Sequence, residues 1–123
     1  MNNILFIGEE KSELARTKGW SWEDGRLAAK QLFDALRANS VEPSSCRFLN
    51  LFEESRATIA KAAKGNTVIA LGRKVQRGLI KYNIKHYNMV HPAARGKIRN
   101  KQNYINHVTN VLNTIRNETN KAK

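Results

Sequence analysis

The chain has 123 residues, of which 41% are hydrophobic and 26% are charged, proportions typical of one soluble globular domain. Its single cysteine, Cys46, excludes a disulfide within the chain and a zinc or iron–sulfur site built from its own cysteines. We therefore expect no metal or cofactor, and a reducing, cytoplasmic compartment. The apolar runs are too short for a signal peptide or a membrane span, so we expect no membrane association.

The positive charge is concentrated in the second half of the chain. Residues 1–60 carry 8 Lys and Arg against 9 Asp and Glu, whereas residues 61–123 carry 14 against 1. A domain with one strongly basic half attracts polyanions. This distribution predicts a nucleic-acid partner, and a merely well-solvated basic surface is the alternative. An anionic membrane is disfavoured, because we find no basic amphipathic helix with Trp or Phe on its apolar face.

The first third of the chain predicts a strand, a long loop and a helix. The apolar run Ile4–Ile7 ends at Gly8 and is typical of a strand buried on both faces. The polar segment from Glu9 to Asp24 is long for a structureless connection, so we interpret it as a functional loop. Asp24 is expected to cap a helix that ends near Asn39, with apolar spacing at Leu27, Ala28, Leu32, Ala35 and Leu36.

The rest of the chain continues this alternation. Strands are predicted at Arg47–Leu51, Thr67–Leu71 and Tyr87–Val90, with proline at 92 ending the last one. Helices are predicted over Glu53–Ala63, around Val75, Leu79 and Ile80, and over Lys101–Asn117.

Alternating strands and helices predict an α/β fold of three layers, α/β/α, with a central four-stranded parallel sheet. We expect one domain over residues 1–117 and a frayed C-terminal tail over residues 118–123. In such sheets, ligands bind beyond the carboxyl ends of the strands. The chemistry should therefore lie in the segments Gly8–Asp24, Asn50–Glu54, Leu71–Arg73 and His91–Arg99.

The motifs at these strand ends resemble those of the uracil-DNA glycosylase superfamily. Phe6-Ile7-Gly8-Glu9-Glu10 resembles its first motif, and Val90-His91-Pro92-Ala93-Ala94-Arg95 resembles its second. Between them, three segments resemble the aromatic loop, the strand with a base-reading Asn and the strand-to-helix step: Gly19–Gly25, Arg47–Leu51 and Thr67–Gly72. The resemblance covers about Asn3 to His107. It is strongest to the branch with Gly-Glu and His-Pro-Ala motifs, without that branch's iron–sulfur cysteines.

The resemblance implies excision of uracil or a related base, and the residue types suit that chemistry. Cleaving an N-glycosidic bond builds positive charge on the sugar, which Glu9 would stabilise, and negative charge on the base, to which neutral His91 would donate. Asn50 would pair with the edge of a pyrimidine and reject cytosine. Trp20, or else Trp22, would stack on the extruded base. Gly8 and Glu10 complete the expected base-binding set.

Each of these residues also has a purely structural interpretation. Glu9 and Glu10 could be surface carboxylates or start a helix, and His91 could shape a turn before proline. Asn50 could cap the following helix. Both tryptophans could be packing residues. Elsewhere, Tyr104 is expected in the core, Cys46 buried rather than reactive, and His86 and His107 on surfaces or helix faces.

Two basic clusters are expected to bind DNA phosphates. The first opens a helix, whose N-terminus favours phosphate, and comprises Arg73, Lys74 and Arg77. The second follows the His-Pro motif and comprises Arg95, Lys97, Arg99 and Lys101. We therefore expect a monomer that binds single- or double-stranded DNA.

The chain also departs from the family pattern, which leaves three hypotheses. Glu10-Lys11 replaces the usual small residue and proline, and Ala93, Ala94 and Arg95 stand where relatives carry a bulky apolar wedge. The first hypothesis is a DNA glycosylase. The second is an enzyme of the same fold that acts on a modified pyrimidine or transfers a group to one. The third is a non-catalytic nucleic-acid-binding protein.

Overall fold

The computed structural model describes residues 3–25 and 28–121. Strands and helices alternate along the described chain, and the connections contain short 3₁₀ turns at Trp22–Asp24, Pro43–Ser45, Leu51–Glu53 and Lys97–Arg99. In chain order the elements are β1 Ile4–Gly8, α1 Glu13–Lys18, α2 Ala28–Ala38, β2 Arg47–Asn50, α3 Arg56–Ala63, β3 Thr67–Leu71, α4 Arg73–Lys81, β4 Tyr87–Met89 and α5 Lys101–Lys121.

The four strands form one parallel sheet in the order β2-β1-β3-β4. In the register, Gly8 at the end of β1 lies opposite Asn50 at the end of β2. Leu71 at the end of β3 lies opposite Met89 at the end of β4. The predicted α/β class and four-stranded parallel sheet are therefore confirmed, and the carboxyl ends of all four strands meet at one rim.

Helices cover both faces of this sheet because its side chains alternate between two apolar clusters. Phe6 and Ile69 lie in a cluster with buried residues of α2 and α5. Leu5 and Val68 lie in a second cluster with buried residues of α3 and α4. Burial on both faces explains why the strands are continuously apolar. The arrangement is compatible with the three-layer α/β/α prediction.

The segment Glu9–Asp24 is not the single loop that was predicted, because it contains helix α1 and the Trp22–Asp24 turn. Ser12 and Ser21 begin these two elements. Ser12 Oγ accepts a hydrogen bond from Ala15 N at 3.1 Å and caps the start of α1. The Asp24 carboxylate accepts from Ser21 N at 2.7 Å, which closes a capping box on the Trp22–Asp24 turn. Asp24 therefore belongs to this turn and does not start α2, which the structure describes from Ala28.

Four further boundaries differ from the predictions. Strand β4 ends at Met89, one residue before the predicted Val90. Helix α3 begins at Arg56, not at Glu53, because Ser55 Oγ caps it by accepting from Thr58 N. Leu51, expected to end β2, instead begins a 3₁₀ turn and is buried against the α3–α4 side of the sheet. Helix α5 continues to Lys121 rather than ending at Asn117. Leu27, expected in α2, and residues 122–123 of the expected tail lie outside the described residues.

A search of the described helices for a membrane span found none with the necessary length and apolar character.

Candidate active site

A cavity of about 200 Å³ lies at the carboxyl rim of the sheet. It brings together side chains that follow different strands: Glu9 after β1, Asn50 at the end of β2 and His91 after β4. Its other lining residues are Glu10, Lys11, Ser12, Ala15, Trp20, Ser21, Trp22, Ala28, Ala29 and Ala93. The predicted catalytic pair, the predicted base-reading Asn and both tryptophans therefore line one cavity.

Gly8 makes room for this convergence. A Cβ atom at residue 8 would lie 2.8 Å from Trp22 Cζ2 and 2.9 Å from Asn50 Oδ1. Both distances are shorter than an ordinary van der Waals contact, so a side chain here would displace one of the two groups. Gly8 therefore acts by being small, and it contributes no polar side chain of its own to the site.

Trp22 is held at the cavity by an aromatic stack that reaches into the core. Its ring stacks on Phe48 with centroids 5.5 Å apart, and Phe48 stacks on Phe6 at 5.4 Å. The Trp22 indole Nε1–H donates to Asn50 Oδ1 at 2.9 Å. One face of Trp22 is thus covered by Phe48. Trp20, in the segment before the turn, lines the cavity together with Trp22.

The hydrogen bond with Trp22 contradicts one of the two interpretations of Asn50. The Asn50 side chain does not cap the Leu51–Glu53 turn that follows β2. Its oxygen is instead paired with the Trp22 indole, and the residue lines the cavity. The capping interpretation is therefore wrong.

His91 is oriented by the backbone just after it. Ala93 N donates to His91 Nδ1 at 3.0 Å, so Nδ1 is the acceptor and the neutral ring carries its proton on Nε2. Burial lowers the pKa of His91, and the charge of Glu9 partly opposes this by raising it. The pKa of His91 thus lies below its usual value, and near neutral pH the residue offers an Nε2–H donor.

Glu9 and His91 approach each other around Gly72, which joins β3 to α4. Gly72 has φ of +95°, a conformation that side chains rarely adopt. A Cβ atom there would lie 3.3 Å from His91 Cβ and 3.7 Å from Glu9 Oε1. The carboxylate and the imidazole therefore flank the same glycine.

Helix α5 holds the residue before His91 by both of its backbone groups. The Tyr104 hydroxyl donates to Val90 O at 2.8 Å, and Val90 N donates to His107 Nε2 at 2.9 Å. Tyr104 is only 1% exposed, which confirms its predicted place in the core. This role of Tyr104 and His107 was not predicted from the sequence. Their spacing of three residues, which places them on one helical face, was the available signal.

The charges at the rim are unevenly distributed. Charges of both signs follow β1, including Glu10 and Arg16, and the exposed carboxylates Glu53 and Glu54 follow β2. Exposed cations follow β3 and β4: Arg73, Lys74, Arg77, Arg95, Lys97 and Arg99. A polyanion is therefore favoured on the β3–β4 half of the rim.

Two of the predicted site residues are engaged in ion pairs. Glu10 lies 3.1 Å from Arg16, and both side chains are more than half exposed, so this pair contributes little to stability. Glu10 nevertheless lines the cavity. Lys101 Nζ lies 3.6 Å from the Asp34 carboxylate, which makes it a poorer phosphate ligand than Lys97 or Arg99.

Across residues 3–25 and 28–121, no group of three or more His, Cys, Asp or Glu side chains is arranged to hold a metal ion. No protein-family model matches the chain, and no curated protein matches its sequence.

We predict that His91 titrates below the value of about 6.5 found in model peptides, because burial disfavours its charged form. Glu9→Gln should lower the pKa further, since it removes the charge that favours the imidazolium. Glu10→Gln is the matched control and should have a smaller effect, because Glu10 faces Arg16 in an exposed pair. NMR titration of the histidine ring carbons measures all three values.

The same shift predicts how stability depends on pH. Between about 6.5 and the lower pKa of folded His91, the unfolded chain binds a proton that the folded chain does not, so stability falls as the pH falls. Burial also lowers the pKa of His107, which adds to this loss. A measured pKa of His91 at or above the model-peptide value of about 6.5 would contradict the assignment of a buried, neutral ring.

Proposed function

We propose that the protein extrudes uracil or a related base from DNA and hydrolyses its N-glycosidic bond. The observation that supports this proposal is the convergence of Glu9, Asn50 and His91 with two tryptophans on one cavity at the rim of the sheet. Each of these groups meets one requirement of the reaction, and they come from segments far apart in the sequence.

The two ends of the breaking bond need opposite charges nearby. As the bond between the sugar C1′ and the base nitrogen lengthens, the base gains negative charge and the sugar gains positive charge. His91 donates its Nε2–H to a base oxygen, and the Glu9 carboxylate stabilises the sugar cation or orients the attacking water. Water then supplies a hydroxyl to C1′ and a proton to the departing base, which leaves the two side chains unchanged.

The cavity has a size suited to a single ring. Pockets for drug-sized ligands span roughly 300–1,000 Å³, and this cavity measures about 200 Å³. Trp20 supplies an aromatic surface for stacking, a contact worth about 1–3 kcal/mol per base. Such stacking offsets part of the energy needed to take a base out of a duplex.

DNA would lie over the basic half of the rim. The cations after β3 and β4 are exposed and flank Gly72 and His91, next to the cavity. Phosphate contacts of this kind position the backbone without reading sequence. The base is then chosen inside the cavity.

Excision assays on oligonucleotides test the catalytic assignment. We expect the wild-type protein to release free base from uracil-containing DNA. Glu9→Gln and His91→Gln should each lower kcat by about 10²–10⁴-fold, the usual contribution of a positioned acid, base or hydrogen-bond donor. The control is Glu42→Gln, because Glu42 is exposed and precedes the amino end of β2, whereas the cavity lies at the carboxyl end of the strands.

Two outcomes would count against this proposal. Release of base at equal rates by the wild type and both variants would remove Glu9 and His91 from the mechanism. Salt-sensitive DNA binding by a wild type that releases no base, across uracil and modified-base substrates, would favour the non-catalytic hypothesis.

Salt dependence tests the proposed DNA-binding surface. Lys97→Gln should weaken duplex binding and reduce the slope of log K against log salt concentration by about 0.9, the value for one lost phosphate contact. Lys61→Gln is the charge-matched control, since Lys61 is an exposed residue of α3. Equal slopes for the two variants would show that DNA binding depends on the overall positive charge and not on phosphate contacts at the rim.

A further inference from the structure

The cavity contains an amide whose orientation is decided by its neighbour. An indole N–H can only donate a hydrogen bond, so the Asn50 atom 2.9 Å from Trp22 Nε1 must be the carbonyl oxygen. The Asn50 oxygen is thereby committed to Trp22. Its NH₂ group, which can only donate, is left for a ligand in the cavity.

Trp22 is a rigid donor. Its ring is stacked on Phe48. The ring also lies close to Gly8, because a Cβ atom at residue 8 would be only 2.8 Å from Trp22 Cζ2. The turn that carries it is closed by Ser21 and Asp24, through the bond from Ser21 N to the Asp24 carboxylate. Rotation of the Asn50 amide would place its NH₂ against the indole N–H, leaving two part-buried donors unpaired.

We propose that Trp22 is a specificity-determining residue, which acts by positioning Asn50 and so makes the cavity select bases that present a carbonyl oxygen where others carry an amino group. This inference rests on the proposed function and goes beyond it, because it assigns the discrimination to a residue that does not itself read the base edge. From the sequence, Trp22 was predicted only as a stacking or a packing residue.

The selection follows from matching donors to acceptors. Asn50 NH₂ and His91 Nε2–H both line the cavity as donors. Uracil and its 5-substituted relatives carry two carbonyl oxygens, whereas cytosine carries an amino group in place of one. A donor facing a donor leaves both unpaired, which corresponds to roughly 10–100-fold weaker binding.

The discriminating variant is Trp22→Phe. It keeps an aromatic ring to stack on Phe48 but removes the N–H, so the Asn50 amide becomes free to turn its oxygen toward a ligand. We expect the preference for uracil over cytosine to fall by about tenfold. Trp20→Phe is the matched control, since Trp20 lines the same cavity. It should weaken binding of both bases and leave their ratio unchanged.

The experiment measures binding of free uracil and free cytosine to the intact protein by NMR titration, together with hydrogen exchange of the Trp22 indole N–H. Free bases separate recognition from catalysis. A reduced ratio of uracil to cytosine affinity in Trp22→Phe alone, with a slowly exchanging Trp22 N–H in the wild type, supports the proposal. This holds even if no base is excised from DNA.

Other outcomes overturn it. An unchanged ratio in Trp22→Phe, or an indole proton that exchanges as fast as that of free tryptophan, would show that Trp22 does not orient Asn50, while leaving base excision untouched. A wild type that excises uracil but binds both free bases equally would do the same. Failure to bind either base and to excise any would reject this inference and the proposed function together.

Discussion

The site depends on the absence of a side chain at residue 8. In the parallel sheet, the ends of β1 and β2 lie side by side, with Gly8 opposite Asn50. The Trp22 ring and the Asn50 amide occupy the space beside Gly8 that a Cβ atom would need. This close approach allows the Trp22–Asn50 hydrogen bond to form. The absence of a Cβ atom at residue 8 therefore positions both the aromatic wall and the Asn50 amide, which we propose reads the base.

On the opposite side of the cavity, Glu9 and His91 are positioned by Gly72 and by helix α5. Gly72 provides the positive φ and the space in which Glu9 and His91 meet, and α5 holds Val90 by both backbone groups. His91 thus follows a residue that cannot shift without breaking two hydrogen bonds. Its own ring is held by Ala93 N. The proposed catalytic pair is oriented by backbone and helix contacts, and electrostatic catalysis depends on such preorganisation.

The sheet could be predicted because its signal is local. Thr67–Leu71 is β-branched, apolar and bounded by glycine, and the strand has these limits in the structure. The placement of Glu9 and His91 at one cavity followed from the rule that parallel strands end at the same rim. No contact had to be foreseen for this part of the prediction.

What could not be predicted depends on contacts between distant residues or on competing local caps. The Trp22–Asn50 bond joins residues 28 positions apart, and no periodicity in either segment signals it. Asp24 was predicted to cap α2, but its carboxylate instead accepts a hydrogen bond from the backbone N–H of Ser21. The spacing of His107 and Tyr104 places both on one face of α5, but it does not signal that the His107 ring accepts from the backbone amide of Val90, 17 positions away.

A crystal structure of the Glu9→Gln protein bound to a uracil-containing oligonucleotide would show whether the cavity receives an extruded base. We predict that the base lies inside the cavity, with one carbonyl oxygen at Asn50 Nδ2, another at His91 Nε2 and the sugar beside residue 9. A base that stays stacked in the DNA, or that binds away from these residues, would contradict it.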